Sequence, residues 1–287
     1  MDKAVLGQWL KAGYVDKKAL FPTEQGTPQG GIASPTLANV VLDGLERLLK
    51  ERFPRESLVH FVRYADDWIV TVRSRELLVT QVLPIIVDFL RERGLKISPE
   101  KTHIVHIRDG FTFLGQCIRK YGDKCLTQPS PESVKSLPEK TRNVMKEARS
   151  QSQEWLIETL NPIIRGRSNY HRHSAAKVTF LKVDNVIWSQ LRSWIRRRHP
   201  GKGHFWSHEK YFQKQGTHKW VFAVPDGGPA LVKASDTKII RHVKIKAQAN
   251  PFDPKWTDYL YARNLFSKLT SGWDRLFGPM NAQEALE

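Results

Sequence analysis

The sequence predicts an α+β fold, mixed helix and antiparallel strand in its first part and mostly helical after that. Three observations carry the prediction. Two apolar runs, Leu58–Tyr64 and Trp68–Val72, flank Ala65-Asp66-Asp67, which is the pattern of a β-hairpin with an acidic turn. Apolar residues recur at helical spacing on both sides of that hairpin. Beyond a turn-rich stretch at 121–138, helical periodicity dominates.

Taken in order, Leu37, Val41, Leu45, Leu48 and Leu49 trace one face of an amphipathic helix. It follows Pro35 and ends near Pro54. The hairpin comes next. Ser74 then caps a helix whose apolar side holds Leu78, Val82, Ile85, Ile86 and Phe89, and Gly94 stops it. Residues 103–107 and 111–114 are expected to be strands. The stretch 121–138 reads as a linker. Asn161-Pro162 reads as a helix start, a capping side chain followed by proline in the first turn. Phe180, Ile187, Leu191, Trp194 and Ile195 line one face of a further helix, which closes on Arg196, Arg197 and Arg198, where cations complement the helix dipole. From residue 201 onward the chain is basic, aromatic and irregular.

With 287 residues, 40% hydrophobic and 26% charged, the chain can bury a core and is not disordered by composition. Its net charge is +17. The excess is uneven. Residues 1–120 carry 18 Lys and Arg against 14 Asp and Glu, whereas residues 121–287 carry 28 against 15. Cations at such density release counterions from a polyanion, so the second part is the stronger candidate for gripping phosphate. Cys117 and Cys125 form no C-x-x-C pair, which excludes a zinc knuckle or a disulfide framework and points to reduced thiols. No apolar run reaches the roughly 20 residues of a membrane span, and no targeting signal opens the chain. The expected location is a bacterial cytoplasm.

The sharpest chemical feature is Tyr64-Ala65-Asp66-Asp67. Two adjacent carboxylates at a hairpin tip repel one another, and a hard cation relieves that repulsion. Mg²⁺ takes one or two carboxylates and completes its shell with water and phosphate oxygens. Two such ions about 3.5–4 Å apart suit phosphoryl transfer. A bare Asp-Asp turn is more often ordinary surface, so the surrounding segments decide. Gln25-Gly26-Thr27-Pro28-Gln29-Gly30-Gly31 lies upstream, with glycines that let backbone approach a ligand and an amide that both donates and accepts. Phe113-Leu114-Gly115 lies downstream. His204 and His208 share i,i+4 spacing, but no cysteine accompanies them and a metal reading there is weak.

In this order the segments resemble the reverse transcriptase palm. The Gln29 loop resembles its fourth sequence block and the Tyr-Ala-Asp-Asp hairpin its fifth. Arg93–Thr102 resembles the sixth block and Phe113-Leu114-Gly115 the seventh. Asn161–His173, with Trp188, Leu191, Trp194, Arg196–Pro200 and Lys210-Tyr211-Phe212, resembles the maturase domain of group II intron-encoded proteins. Arg167 is a departure, since the family often has Trp there. The resemblance covers about residues 5–260. It implies a partial right-hand polymerase palm, an antiparallel sheet with helices, over 1–125. An α-helical thumb or maturase domain would follow over 126–245, and a basic tail without an endonuclease module over 246–287.

The resemblance also implies roles. Asp66 and Asp67 would bind catalytic Mg²⁺. Pro28, Gln29, Gly30, Tyr64 and Ala65 would border nucleotide and template, and Phe113, Leu114 and Gly115 would grip the primer. Arg165, Arg167, Arg172, Arg196, Arg197 and Arg198 would hold RNA phosphates, while Tyr170 and the neighbouring histidines would stack on bases. The implied partners are group II intron RNA, an RNA template, a DNA primer and dNTPs. About 25 residues precede Gln29, too few for the palm strand that bears a third carboxylate. A complementing N-terminal reverse transcriptase segment or a homodimer is therefore expected to supply it. Three readings stay open: an RNA-directed DNA polymerase that also assists splicing, an RNA-binding maturase module that polymerises nothing, and a truncated gene product with neither activity.

Overall fold

A computed structural model describes residues 2–16, 19–21, 34–216, 218–240, 242, 244–246 and 249–263. The chain divides into two compact units, residues 1–104 and 105–287.

Unit 1 begins with helix α1 (Lys3–Lys11) and a short antiparallel pair, β1 (Tyr14–Asp16) with β2 (Ala19–Phe21). The single helix expected over 37–49 is two, α2 (Ser34–Leu42) and α3 (Leu45–Arg52). Gly44 sits between them at φ +90°, a left-handed conformation that a helix cannot continue through. The hairpin pairs β3 (His60–Tyr64) with β4 (Asp67–Thr71), Tyr64 opposite Asp67, as the alternation predicts.

Ser74 caps the next helix, its Oγ accepting from Leu77 N–H at 3.2 Å. The helix runs as α4 (Arg75–Leu77), one π-helical stretch at Leu78–Val82, and α5 (Leu83–Arg91). Pro84 cannot donate and its ring crowds the carbonyl four residues back, and the wider π turn falls where that strain would arise. Gly94 at φ +70° ends the helix. Leu95 N–H reaches Leu90 O and Gly94 N–H reaches Arg91 O, the double bond of a Schellman cap. Leu45, Leu49, Val82, Ile86, Phe89 and Leu90 form the buried core. Phe61, Trp68 and Val70 from one face of the hairpin pack against it.

Unit 2 opens with a three-stranded antiparallel sheet, β5 (Phe111–Phe113), β6 (Gln116–Tyr121) and β7 (Lys124–Pro129). Residues 103–107, expected as a strand, are turn and irregular. The expected linker over 121–138 is β7 followed directly by helix α6 (Pro131–Glu147), with Ser130 as N-cap. Turn-forming residues there serve a tight β6–β7 hairpin and a helix cap rather than a flexible join.

Helix α7 (Gln153–His171) starts at its Ser152 cap, so Asn161-Pro162 lies in mid-helix. The expected helix start at Asn161 is therefore not one, and the Asn161 side chain bonds to distant backbone instead of capping a helix. Asn161 Nδ2 donates to Ala230 O at 2.9 Å and its Oδ1 accepts from Val232 N–H at 2.9 Å. Helix α8 (Lys177–Arg198) buries Phe180, Ile187, Leu191, Trp194 and Ile195, as the periodicity predicts. The region after 201 holds more order than its composition indicates: helix α9 (His204–Tyr211) and the hairpin β8 (Phe212–Gln215) with β9 (His218–Phe222). Leu156, Leu160, Ile164, Phe180, Leu191 and Trp194 anchor the core of this unit. Among the described residues, no helix is long and apolar enough to cross a membrane.

Candidate nucleotidyl-transfer and nucleic-acid-binding sites

In unit 1 the β3–β4 register leaves Ala65-Asp66 as a two-residue loop. Ala65 has φ +53°, the positive value that tight primed hairpin turns require at their first position. Strand alternation sends Phe61, Arg63, Trp68 and Val70 to one face. Tyr64 and Asp67 share the other face, and Tyr64 is 64% exposed. Asp66 and Asp67 are both exposed.

One polar side chain braces this tip. Arg63 Nη1 donates to Ala65 O at 3.0 Å and to Asn39 Oδ1 of α2 at 2.8 Å. Sequence reasoning missed Arg63 and Asn39. The available signal was a cation on the apolar face of a strand, opposite Trp68, where only a partnered charge persists. Pro28, Gln29 and Gly30 lie outside the described residues.

In unit 2, Leu114 and Gly115 form the two-residue turn of the β5–β6 hairpin rather than part of a strand. Both have positive φ, +48° and +70°, as a type I′ turn demands. Phe113 ends β5. The turn is fixed to the helices. Tyr170 O–H donates to Leu114 O at 2.6 Å, and Ser130 N–H donates to Gly115 O at 2.9 Å. A Cβ at position 115 would stand 2.8 Å from Ser133 Oγ.

The maturase-like residues separate by burial. Arg165, Arg196 and Arg197 are exposed. Arg167 is half-buried and donates to Ser136 Oγ, while Arg172 is half-buried with its Nε shielded from solvent. Arg198 donates to Gln151 O and lies over the Trp194 ring at 5.1 Å. Tyr170 is 52% exposed, but its hydroxyl is committed to Leu114.

Of the two histidines expected near RNA bases, His171 is buried and His173 is exposed. His171 is 2% exposed and its Nδ1 meets Gln116 Nε2 at 2.9 Å. Burial, aided by the Arg167 guanidinium, lowers its pKa to about 4, so the ring is neutral at pH 7. His173 Nδ1 meets Ile240 O at 2.8 Å. The Nε2 atoms of His204 and His208 lie 3.0 Å apart, one ring donating to the other. Among the described residues no cluster of three or more His, Cys, Asp or Glu is placed to hold a metal.

The reverse transcriptase (RNA-dependent DNA polymerase) family matches residues 2–118, and the group II intron, maturase-specific domain matches residues 134–212. The chain belongs to the group II intron-encoded reverse transcriptase/maturase family. Group II intron-encoded protein LtrA of Lactococcus lactis is 27% identical over 171 residues, 39% of this chain and 28% of that protein. Protein YkfC of Escherichia coli is 29% identical over 172 residues, 48% of this chain and 44% of its own length. The putative COX1/OXI3 intron 2 protein of Saccharomyces cerevisiae is 27% identical over 168 residues, 40% of this chain and 20% of that protein. The alignments therefore span less than half the length of each of these relatives. Within the family frame, the Tyr64–Asp67 hairpin falls in the reverse transcriptase match and α7 and α8 in the maturase match.

Proposed function

We propose that this chain works as a group II intron reverse transcriptase/maturase. Its 1–125 region contributes to RNA-templated DNA synthesis and its 126–245 region binds intron RNA to assist splicing and mobility, in the cytoplasm. The observation that carries the reading is the hairpin tip, where Asp66 and Asp67 stand adjacent, solvent-exposed and braced from behind by Arg63. That donor set fits Mg²⁺, since two hard carboxylates leave coordination positions for water and phosphate oxygens. When bound, the cation supplies charge neutralisation for phosphoryl transfer. The side chains of Asp66 and Asp67 hold it. Arg63 keeps the turn from folding back, and the small side chain of Ala65 leaves room for nucleic-acid backbone beside them. Pro28, Gln29, Gly30 and Tyr64 border the nucleotide and template, and the Leu114–Gly115 turn supports the primer.

Primer extension on an RNA template with Mg²⁺, beside an Asp66→Ala/Asp67→Ala variant, tests this reading. Extension by the native chain supplied with a complementing N-terminal reverse transcriptase segment, and its loss in the variant with unchanged melting, is the expected outcome. Extension that survives in the variant would remove both carboxylates from catalysis.

A second reading has its own support. Unit 2 packs a complete core of its own and carries exposed arginines on α7 and α8. An RNA-binding maturase module therefore needs nothing from the hairpin tip. Tight intron RNA binding without extension, in a reaction supplied with a complementing N-terminal reverse transcriptase segment, would favour it.

A further inference from the structure

Helices α6 and α8 pack against one another. Gln190 Nε2 donates to Pro138 O at 2.9 Å in the middle of α6, and Trp194 Nε1 donates to Ala148 O at 2.9 Å just past its end. Between them lies a groove of about 580 Å³. Arg142, Lys146 and Arg149 line one wall and Arg197 and Arg198 the other, with no carboxylate among the lining residues. Positions 142, 146 and 149 follow i, i+4, i+7 spacing. Arg142 and Lys146 stand one turn apart on α6, and Arg149 follows in the turn just past its end. All five cations are exposed. Among the described residues, neither Arg142, Lys146, Arg149 nor Arg197 has an ion-pair partner. Five like charges facing one groove repel one another, and a string of phosphates relieves all of them at once.

The floor of the groove decides what kind of strand fits. Its apolar residues, Met145 and Trp194, are 6% and 4% exposed, and Trp194 turns its N–H to a backbone carbonyl. No aromatic face in the groove is open for a base, so a splayed single strand would gain charge contacts but no stacking. A helix that presents its backbone outward loses nothing there.

We propose that the α6–α8 groove cradles the sugar-phosphate backbone of double-helical RNA without reading its sequence. It would be a surface separate from Arg165 on α7 and Arg172 at its C-terminal cap. The inference rests on the RNA-binding reading above and specifies its partner. No motif marks Arg142, Lys146 or Arg149.

The experiment is a salt titration of binding by the full chain, with a short blunt RNA duplex of arbitrary sequence and with single-stranded oligouridine as probes. The variants are Arg142→Gln/Lys146→Gln/Arg149→Gln and, on the opposite wall, Arg197→Glu. The triple variant is expected to weaken duplex binding by about 10–100-fold and to lower the salt slope by about two to three. Arg197→Glu is expected to shift both in the same direction, and oligouridine binding is expected to change far less. All four positions are exposed, and a melting curve confirms that each variant folds. Native duplex binding that both variants retain would overturn the groove alone. Equal loss on oligouridine would overturn the double-helical assignment. A native chain that fails to bind any RNA would overturn the groove together with the RNA-binding reading beneath it.

Discussion

The two hairpin turns that carry the family motifs are built to the same length and held in opposite ways. Ala65-Asp66 in unit 1 projects into solvent, with Arg63 as its brace. Leu114-Gly115 in unit 2 accepts hydrogen bonds from Tyr170 and Ser130 and lies against Ser133. A turn that must meet a ligand with its side chains keeps those side chains free. A turn that must hold its backbone in place surrenders its carbonyls to neighbouring helices. The second turn is thereby coupled to α7, the helix that bears Arg165 and ends at the Arg172 cap.

The largest expected effect tests how firmly that coupling is buried. His171 sits beneath the locked turn, bonded to Gln116, with its pKa lowered to about 4 from 6.5. Its neutral form is the one the fold accepts. The unfolded chain takes up a proton below pH 6.5 while the folded chain does not, so stability is complete above that pH. It is lost progressively as pH falls towards 4. The loss is about 3 kcal/mol at most. Urea unfolding between pH 7 and 4 should show this slope, and His171→Gln should flatten it. A native slope that persists in the variant would assign the acid sensitivity to other groups.

Next in size is Gly115→Ala. A residue with a Cβ at φ +70° costs about 1–2 kcal/mol, and Ser133 Oγ must also rotate away. Thermal melting should show a loss of at least that size. No loss would mean that the turn relaxes more easily than its hydrogen bonds indicate. Tyr170→Phe removes one hydrogen bond to Leu114 and should cost about 1 kcal/mol. Amide hydrogen exchange at residues 113–116 should rise in that variant. If exchange is unchanged and RNA affinity falls instead, Tyr170 serves bases and not the turn.

How much of this was legible in the sequence follows the reach of each interaction. The β3–β4 hairpin, the Ser74 cap, the Gly94 stop and the apolar face of α8 are set by residues within a few positions of each other, and all of them read correctly. Asn-Pro is a local capping signal, but Asn161-Pro162 lies in the middle of α7. The true partners of Asn161, Ala230 and Val232, lie about 70 positions away, and no local pattern encodes them. The stretch 121–138 misled for a related reason, since the same turn-formers mark a tight hairpin, a helix cap or a linker. The carboxylate pair was legible, but Arg63 behind it was not, because its bond to Asn39 depends on how α2 meets the hairpin. His171 was legible as a histidine near arginines. Only packing shows that it is buried.

The smallest expected effect comes from the counterpart of Gly115→Ala, the change Ala65→Gly in the open turn. Ala65 holds φ +53° with a Cβ, a conformation that costs about 1–2 kcal/mol in an L-residue. Glycine removes that cost, while the added freedom of the unfolded chain takes back about 0.5–1 kcal/mol. The two nearly cancel, and the melting temperature should move little, with any net change towards stability. Opposite signs for Gly115→Ala and Ala65→Gly would follow from backbone conformation alone, with side-chain packing adding to the first. A clear loss of stability in Ala65→Gly would mean that the Ala65 methyl makes contacts worth more than its strained φ. The tip would then be less open than its exposure indicates, and the room assigned to nucleic-acid backbone beside Asp66 and Asp67 would have to lie elsewhere.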